Sequence, residues 1–175
     1  MPLRTWHALA LALLLASAAT SGCNDGGACD PGELCECSGG TECYLACDGD
    51  NCAQHCSSMP RCGGVCEDGC ALECHDIDEC SNYCGDGCDF RCHGSAACGT
   101  VCGADCQVEC ADVSRCGAVV GPGSRVDCQR MATCAVECDG PCQVRCVDVS
   151  DCDVTCADGS PAVNCGGGNV ACGGC

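Results

Sequence analysis

Cysteine placed at a fixed interval constrains this chain more than any other feature: 31 of its 175 residues are Cys. They fall at 62, 66, 70 and 74, then at 80, 84, 88 and 92, at 98, 102, 106 and 110, and at 134, 138, 142 and 146. The unit reads C-x3-C-x3-C-x3-C-x5, with a period of 18 residues. An earlier unit at Cys43, Cys47, Cys52 and Cys56 carries one extra residue. A unit at Cys116 keeps cysteine only at its first and last places, and a final unit drifts after Cys152. About seven units cover 43–165. Such a period marks a repeat architecture in which each unit meets only its neighbours.

The second half of each unit alternates. CALEC from Cys70, CDFRC from Cys88, CQVEC from Cys106 and CQVRC from Cys142 put Cys, an apolar residue and Cys on one face. That period of two predicts a short strand. Glu67-Asp68-Gly69 and Gly85-Asp86-Gly87 separate the halves with turn chemistry. The expected fold is all-β and disulfide-rich, a narrow β-solenoid of 18-residue coils; tandem disulfide-bridged β-hairpins are the alternative. Stacking also gives the charged place a rationale. It reads Glu73, Arg91, Glu109, Asp127, Arg145, so strands about 4.8 Å apart would set each Arg beside an acid.

The degenerate unit suggests a pairing. Val120 and Ser124 replace its second and third cysteines together, while Cys116 and Cys128 remain. If the second and third places bond to each other, their joint loss leaves no orphan thiol, and the outer two then pair. The resulting expectation is a nested set: Cys43–Cys56 around Cys47–Cys52, Cys62–Cys74 around Cys66–Cys70, Cys80–Cys92 around Cys84–Cys88, and Cys98–Cys110 around Cys102–Cys106. Cys116–Cys128 follows, then Cys134–Cys146 around Cys138–Cys142, and Cys152–Cys165. Cys29, Cys35 and Cys37 stay unassigned, and Cys156 is left to Cys172 or Cys175.

From Cys23 onward only 23 large apolar side chains are available, 14 of them Val. Cross-links are the remedy for so thin a core, each short loop removing about 2–3 kcal/mol of unfolded-state entropy. The reduced chain is expected to be unfolded.

Residues 1–22 read as an export signal: Arg4, then the apolar run Ala8 to Ala19, too short to span a membrane. The run ends in Thr20-Ser21-Gly22-Cys23. Small residues before a Cys resemble the lipobox of bacterial lipoproteins, whose Cys is diacylated, although Thr20 stands where that family usually has an aliphatic. Placing lipid on Cys23 leaves thirty cysteines, an even number. Residues 23–42 then form a lipid-anchored N-terminal tether and cap, 43–165 the cysteine-repeat domain, and 166–175 a Gly/Cys-rich tail.

Charge excludes some functions. After Arg4, 25 acids face 6 arginines, a net of −19, with no Lys. Nucleic acid and anionic membrane surfaces both require a basic face, so only the lipid would join the chain to a membrane. With an export signal, oxidised cysteines prevail over soft-metal thiolates, and C-x3-C is poor chelate spacing. Calcium is the alternative ligand, because acidic turns recur at Asp68, Asp86, Asp105, Asp139 and Asp158, but these acids shift place between units and no GGxGxD is present. His75 and His93 share one place in consecutive units and would lie near each other in stacked coils. Asp76-Ile77-Asp78-Glu79-Cys80 looks like the opening of a calcium-binding EGF module but aligns with this chain's own linkers, such as Ala111 to Cys116. No nucleophile, base and orienter arrangement or phosphate-cradling loop occurs, so neither an enzyme nor a small-molecule substrate is expected.

Across the mature chain, the Cys23 lipobox with units of the CQVEC and CQVRC type resembles the cysteine-rich tandem-repeat lipoproteins of large-genome bacteria. The resemblance implies an exported protein of the cell envelope, a structural or interaction module with no catalytic role and no cofactor. Divalent-cation binding is the alternative function.

Overall fold

The computed structural model describes residues 27–175, and the regular structure within them is all β. The strands are β1 (Gly27–Cys29), β2 (Leu34–Ser38), β3 (Glu42–Cys47), β4 (Ala53–Ser57), β5 (Arg61–Cys66), β6 (Ala71–His75), β7 (Glu79–Cys84) and β8 (Asp89–His93). They continue as β9 (Ala97–Cys102), β10 (Gln107–Ala111), β11 (Arg115–Val120), β12 (Arg125–Cys138), β13 (Cys142–Cys156), β14 (Val163–Gly166) and β15 (Asn169–Cys172).

These strands wind into a parallel β-solenoid of about seven coils. The odd strands β1 to β11 pair in parallel as one face, and the even strands β2 to β10 as the other. β12 bends through both faces, pairing β10 with its first part and β11 with its last. Register follows the repeat: Val108 lies between Phe90 and Val126, each 18 residues away. Tandem hairpins would instead pair strands antiparallel within a unit, and every pairing from β1 to β13 is parallel between coils.

The alternation seen in the sequence fills the interior. Leu72, Phe90, Val108, Val126 and Val144 form the central column of the second face and are almost completely buried. The first face supplies a smaller column, Gly64, Asn82, Thr100, Ala118 and Val136. Cysteines flank both columns, so sulfur is the main filling at the corners.

Each coil turns twice. The turn between the second and third cysteine places, three residues long in most coils and four after β3, is the expected one. The five-residue linker is an equally tight second turn. Its second place is left-handed in successive coils, at Asp76 (φ 54), Gly94 (φ 62), Asp112 (φ 56), Arg130 (φ 52) and Asp148 (φ 55). Gly and Asp tolerate that conformation, and Arg does not favour it. The next place turns inward: Ile77, Val113 and Met131 are at most 5% exposed and plug the end of the coil.

Both ends of the described residues are structured. Residues 27–38, expected as part of a tether and cap, form a first coil whose strands pair with β3 and β4. The tail makes an antiparallel hairpin of β14 and β15, with β15 laid on the first part of β13. It covers the last edge of the second face, which would otherwise offer unpaired backbone groups to another chain.

Candidate functional site

Sulfur bridges stand at the two corners of the coil. At the inner turn, Cys47–Cys52 across four residues and Cys66–Cys70, Cys102–Cys106 and Cys138–Cys142 across three are bonded as expected. Val120 and Ser124 occupy that same corner of their own coil, Val120 in register with Cys102 and Cys138. Their joint replacement therefore does report a bonded pair of places.

The outer pairing is different. The expected Cys43–Cys56, Cys62–Cys74, Cys80–Cys92, Cys98–Cys110, Cys116–Cys128, Cys134–Cys146 and Cys152–Cys165 are not formed. Instead, the last cysteine of one unit bonds the first of the next across the five-residue turn. These bridges are Cys37–Cys43, Cys56–Cys62, Cys74–Cys80, Cys92–Cys98, Cys110–Cys116, Cys128–Cys134 and Cys146–Cys152. The reason is the linker's fold. With Ile77 turned inward and Asp76 left-handed, the chain doubles back so sharply that Cys74 and Cys80 have Cα atoms 6.4 Å apart. Cys29, in register with Cys47, bonds Cys35 at the other corner of the first coil, and Cys156–Cys172 and Cys165–Cys175 pin the C-terminal hairpin.

Consecutive loops stabilise more than nested ones. The bridges up to Cys152 close loops that follow one another along the chain, with a sequence separation of 4 to 6. Each removes about 2 kcal/mol of unfolded-state entropy, without sharing it with an enclosing loop.

One expected inner pair is open: Cys84 and Cys88 are free thiols. Cys88 is buried and Cys84 partly so. The Cys84 thiol donates to the Cys88 sulfur, which holds Cys84 protonated far above the usual thiol range and brings Cys88 down to about 7. The sulfurs of Cys84, Cys88 and Cys102 all lie within 4.8 Å of one another. Cys102 is committed to Cys106, so two thiols are the only sulfur ligands there, too few for a structural zinc site.

The acidic turns have a structural use. Asp68 Oδ1 accepts the Asp86 backbone N–H at 2.7 Å, and Asp86 Oδ1 accepts that of Ala104 at 2.7 Å. Asp50 does the same for Asp68 at 3.3 Å. Each carboxylate thereby fastens its coil to the next. His75 and His93 do stack in register, and His75 Nδ1 lies 2.9 Å from Asp76. Among the described residues, every cluster of three or more side chains able to hold a metal consists of cysteines alone.

The outer surfaces contrast. On the second face, the charged column stacks as expected, and Arg145 Nη1 donates to Asp127 Oδ2 at 3.1 Å. Arg91 instead turns to Asp89 on its own strand. On the first face a column of small residues, Gly63, Ser81, Gly99, Gly117 and Ala135, runs beside Val65, Tyr83, Val101 and Val119. Those four apolar side chains are 37–57% exposed. From Ser81 and Tyr83 onward the columns shape a shallow trough of about 410 Å³, with Glu137, Asp153 and Thr155 also lining it. The missed signal was the residue after the first cysteine of each of these units, which is small in all five.

Cys23 and the export signal lie outside the described residues. In comparisons with protein-family models, with curated proteins and with solved structures, the chain matches none.

Proposed function

We propose that this chain is an exported structural and interaction rod of the cell envelope, held to a bacterial membrane by lipid on Cys23, with no catalytic role. The observation that carries this reading is the staple at nearly every corner: 14 bridges across 27–175 leave few turns free to open. Proteases act on locally opened chain, so such a rod suits a space where proteases and oxidants are present. Bridges in this number also suit an oxidising, exported setting.

Parity supports the anchor. Every cysteine after Cys23 is bonded except Cys84 and Cys88, which face each other, so none stands by for Cys23. The trough of the first face, floored by small and apolar residues and edged by Glu137 and Asp153, is the natural place for contact with a flat or extended partner. The mass of the N-terminal peptide from chain isolated in its native host tests the anchor. Diacylglycerol on Cys23 is expected; an unmodified Cys23, or one bonded to another cysteine, would overturn it.

A further inference from the structure

We propose that Cys84 and Cys88 form a dithiol that exchanges with the Cys102–Cys106 disulfide of the following coil, so that one open corner is shared between two coils. This does not depend on the envelope reading above.

The arrangement has three parts. First, the two free thiols are not scattered: they occupy the two ends of one three-residue turn, where other coils carry a bridge. Second, strand register brings the neighbouring bridge to them. Cys84 stands opposite Cys102 in the parallel pairing of β7 and β9, and the Cys102 sulfur lies within 4.8 Å of both thiols. Third, the route ends one coil further on, since Val120 and Ser124 hold the next corner and contain no sulfur.

The exchange balances without any outside reagent. Cys88, the more acidic of the two through the hydrogen bond it accepts from Cys84, attacks Cys102 as a thiolate. The Cys88–Cys102 bond forms while the Cys102–Cys106 bond breaks, and the Cys106 sulfur leaves with the electron pair and takes the proton from Cys84. The Cys84 thiolate then attacks Cys88, and Cys102 departs as a thiolate. The result is a Cys84–Cys88 disulfide with Cys102 and Cys106 reduced: two electrons have moved one coil, and the number of bound protons is unchanged. Thiolate attack on a disulfide through such a mixed intermediate is the ordinary route of exchange. Because the two corners share spacing and position, their reduction potentials should be close and both forms populated within about tenfold of each other.

The test is thiol mapping on the full oxidised chain. Protein purified without reductant is quenched in acid, which protonates thiols and freezes exchange, then unfolded in acidic guanidinium with N-ethylmaleimide. Tryptic cleavage after Arg91 places Cys84 and Cys88 in one peptide group and Cys102 and Cys106 in another. Label in both groups, two per molecule, is the expected result. Label confined to Cys84 and Cys88, or no label at all, would overturn the proposal. A second variant, Cys102→Val with Cys106→Ser, copies a corner that the chain already tolerates at Val120 and Ser124. It should confine label to Cys84 and Cys88, and label at Cys66 or Cys70 in that variant would overturn the assignment to Cys102.

Discussion

Cys74 is bonded to Cys80, the first cysteine of the next coil, although the Cys62 sulfur of its own coil lies within 4.8 Å. The bridge thus closes the turn by which the chain climbs from coil to coil, leaving the thin interior uncrossed at that point. Repeated along the rod, this choice makes every coil boundary covalent.

Removing one such staple should cost a defined amount. Cys66→Ala with Cys70→Ala opens a loop of separation 4 and is expected to destabilise by about 2 kcal/mol, read from the denaturant midpoint. The reverse change, Val120→Cys with Ser124→Cys, adds a bridge to a corner already in register with Cys102 and Cys138 and should stabilise by a similar amount.

Gly121 should not accept a side chain. A Cβ there would lie 2.6 Å from the Gly103 carbonyl carbon and 2.8 Å from the Ala104 nitrogen, both backbone atoms of the preceding coil. Gly121→Ala must therefore spread two coils that are tied by the Gly121 N–H donating to Gly103 at 2.9 Å. A loss of about 1–3 kcal/mol is expected from equilibrium unfolding.

The turn aspartates should matter for stability more than for cations. Asp86→Ala leaves the Ala104 N–H without its acceptor and is expected to cost about 1 kcal/mol. A melting curve in millimolar calcium should shift less than this substitution shifts it. A larger calcium-dependent rise would favour cation binding, by mass action on the folded state.

Arg130 should set where Asp112 titrates. Arg130 Nε and Nη2 donate to Asp112 Oδ1 and Oδ2, each at 2.7 Å, which holds the Asp112 carboxyl below its ordinary range. Its folded value being depressed, the contribution is present at neutral pH and fades as pH falls through that value. In Arg130→Ala, carboxyl NMR should find Asp112 back in the usual range. High salt should weaken the effect, because the pair is exposed.

Stacking was legible because spacing alone carries it: a constant 18 and a Cys-x-Val-x-Cys alternation leave little else to build than coils in register. The bonded inner corner was legible too, through the paired loss at Val120 and Ser124. The outer pairing was not, because C-x3-C and C-x5-C both bracket turns, and spacing does not say which turn is tight. The clue was apolar residues in the linkers, Met59, Ile77, Val113 and Met131, which are buried plugs and not exposed spacers. The C-terminal hairpin was hidden because a single antiparallel strand has no repeat to reveal it.

Trypsin without reduction tests the consecutive pairing most directly. With free thiols first blocked and the oxidised chain unfolded in denaturant, trypsin cuts after Arg61, Arg91, Arg115, Arg125, Arg130 and Arg145. Bridges of the Cys74–Cys80 kind span the cuts at Arg61, Arg115 and Arg130 but none of the others. The protein should therefore fall apart after Arg91, Arg125 and Arg145. Separation after Arg61, Arg115 and Arg130, with the other three cuts held together, would mean that cysteines pair within each unit and would contradict the account.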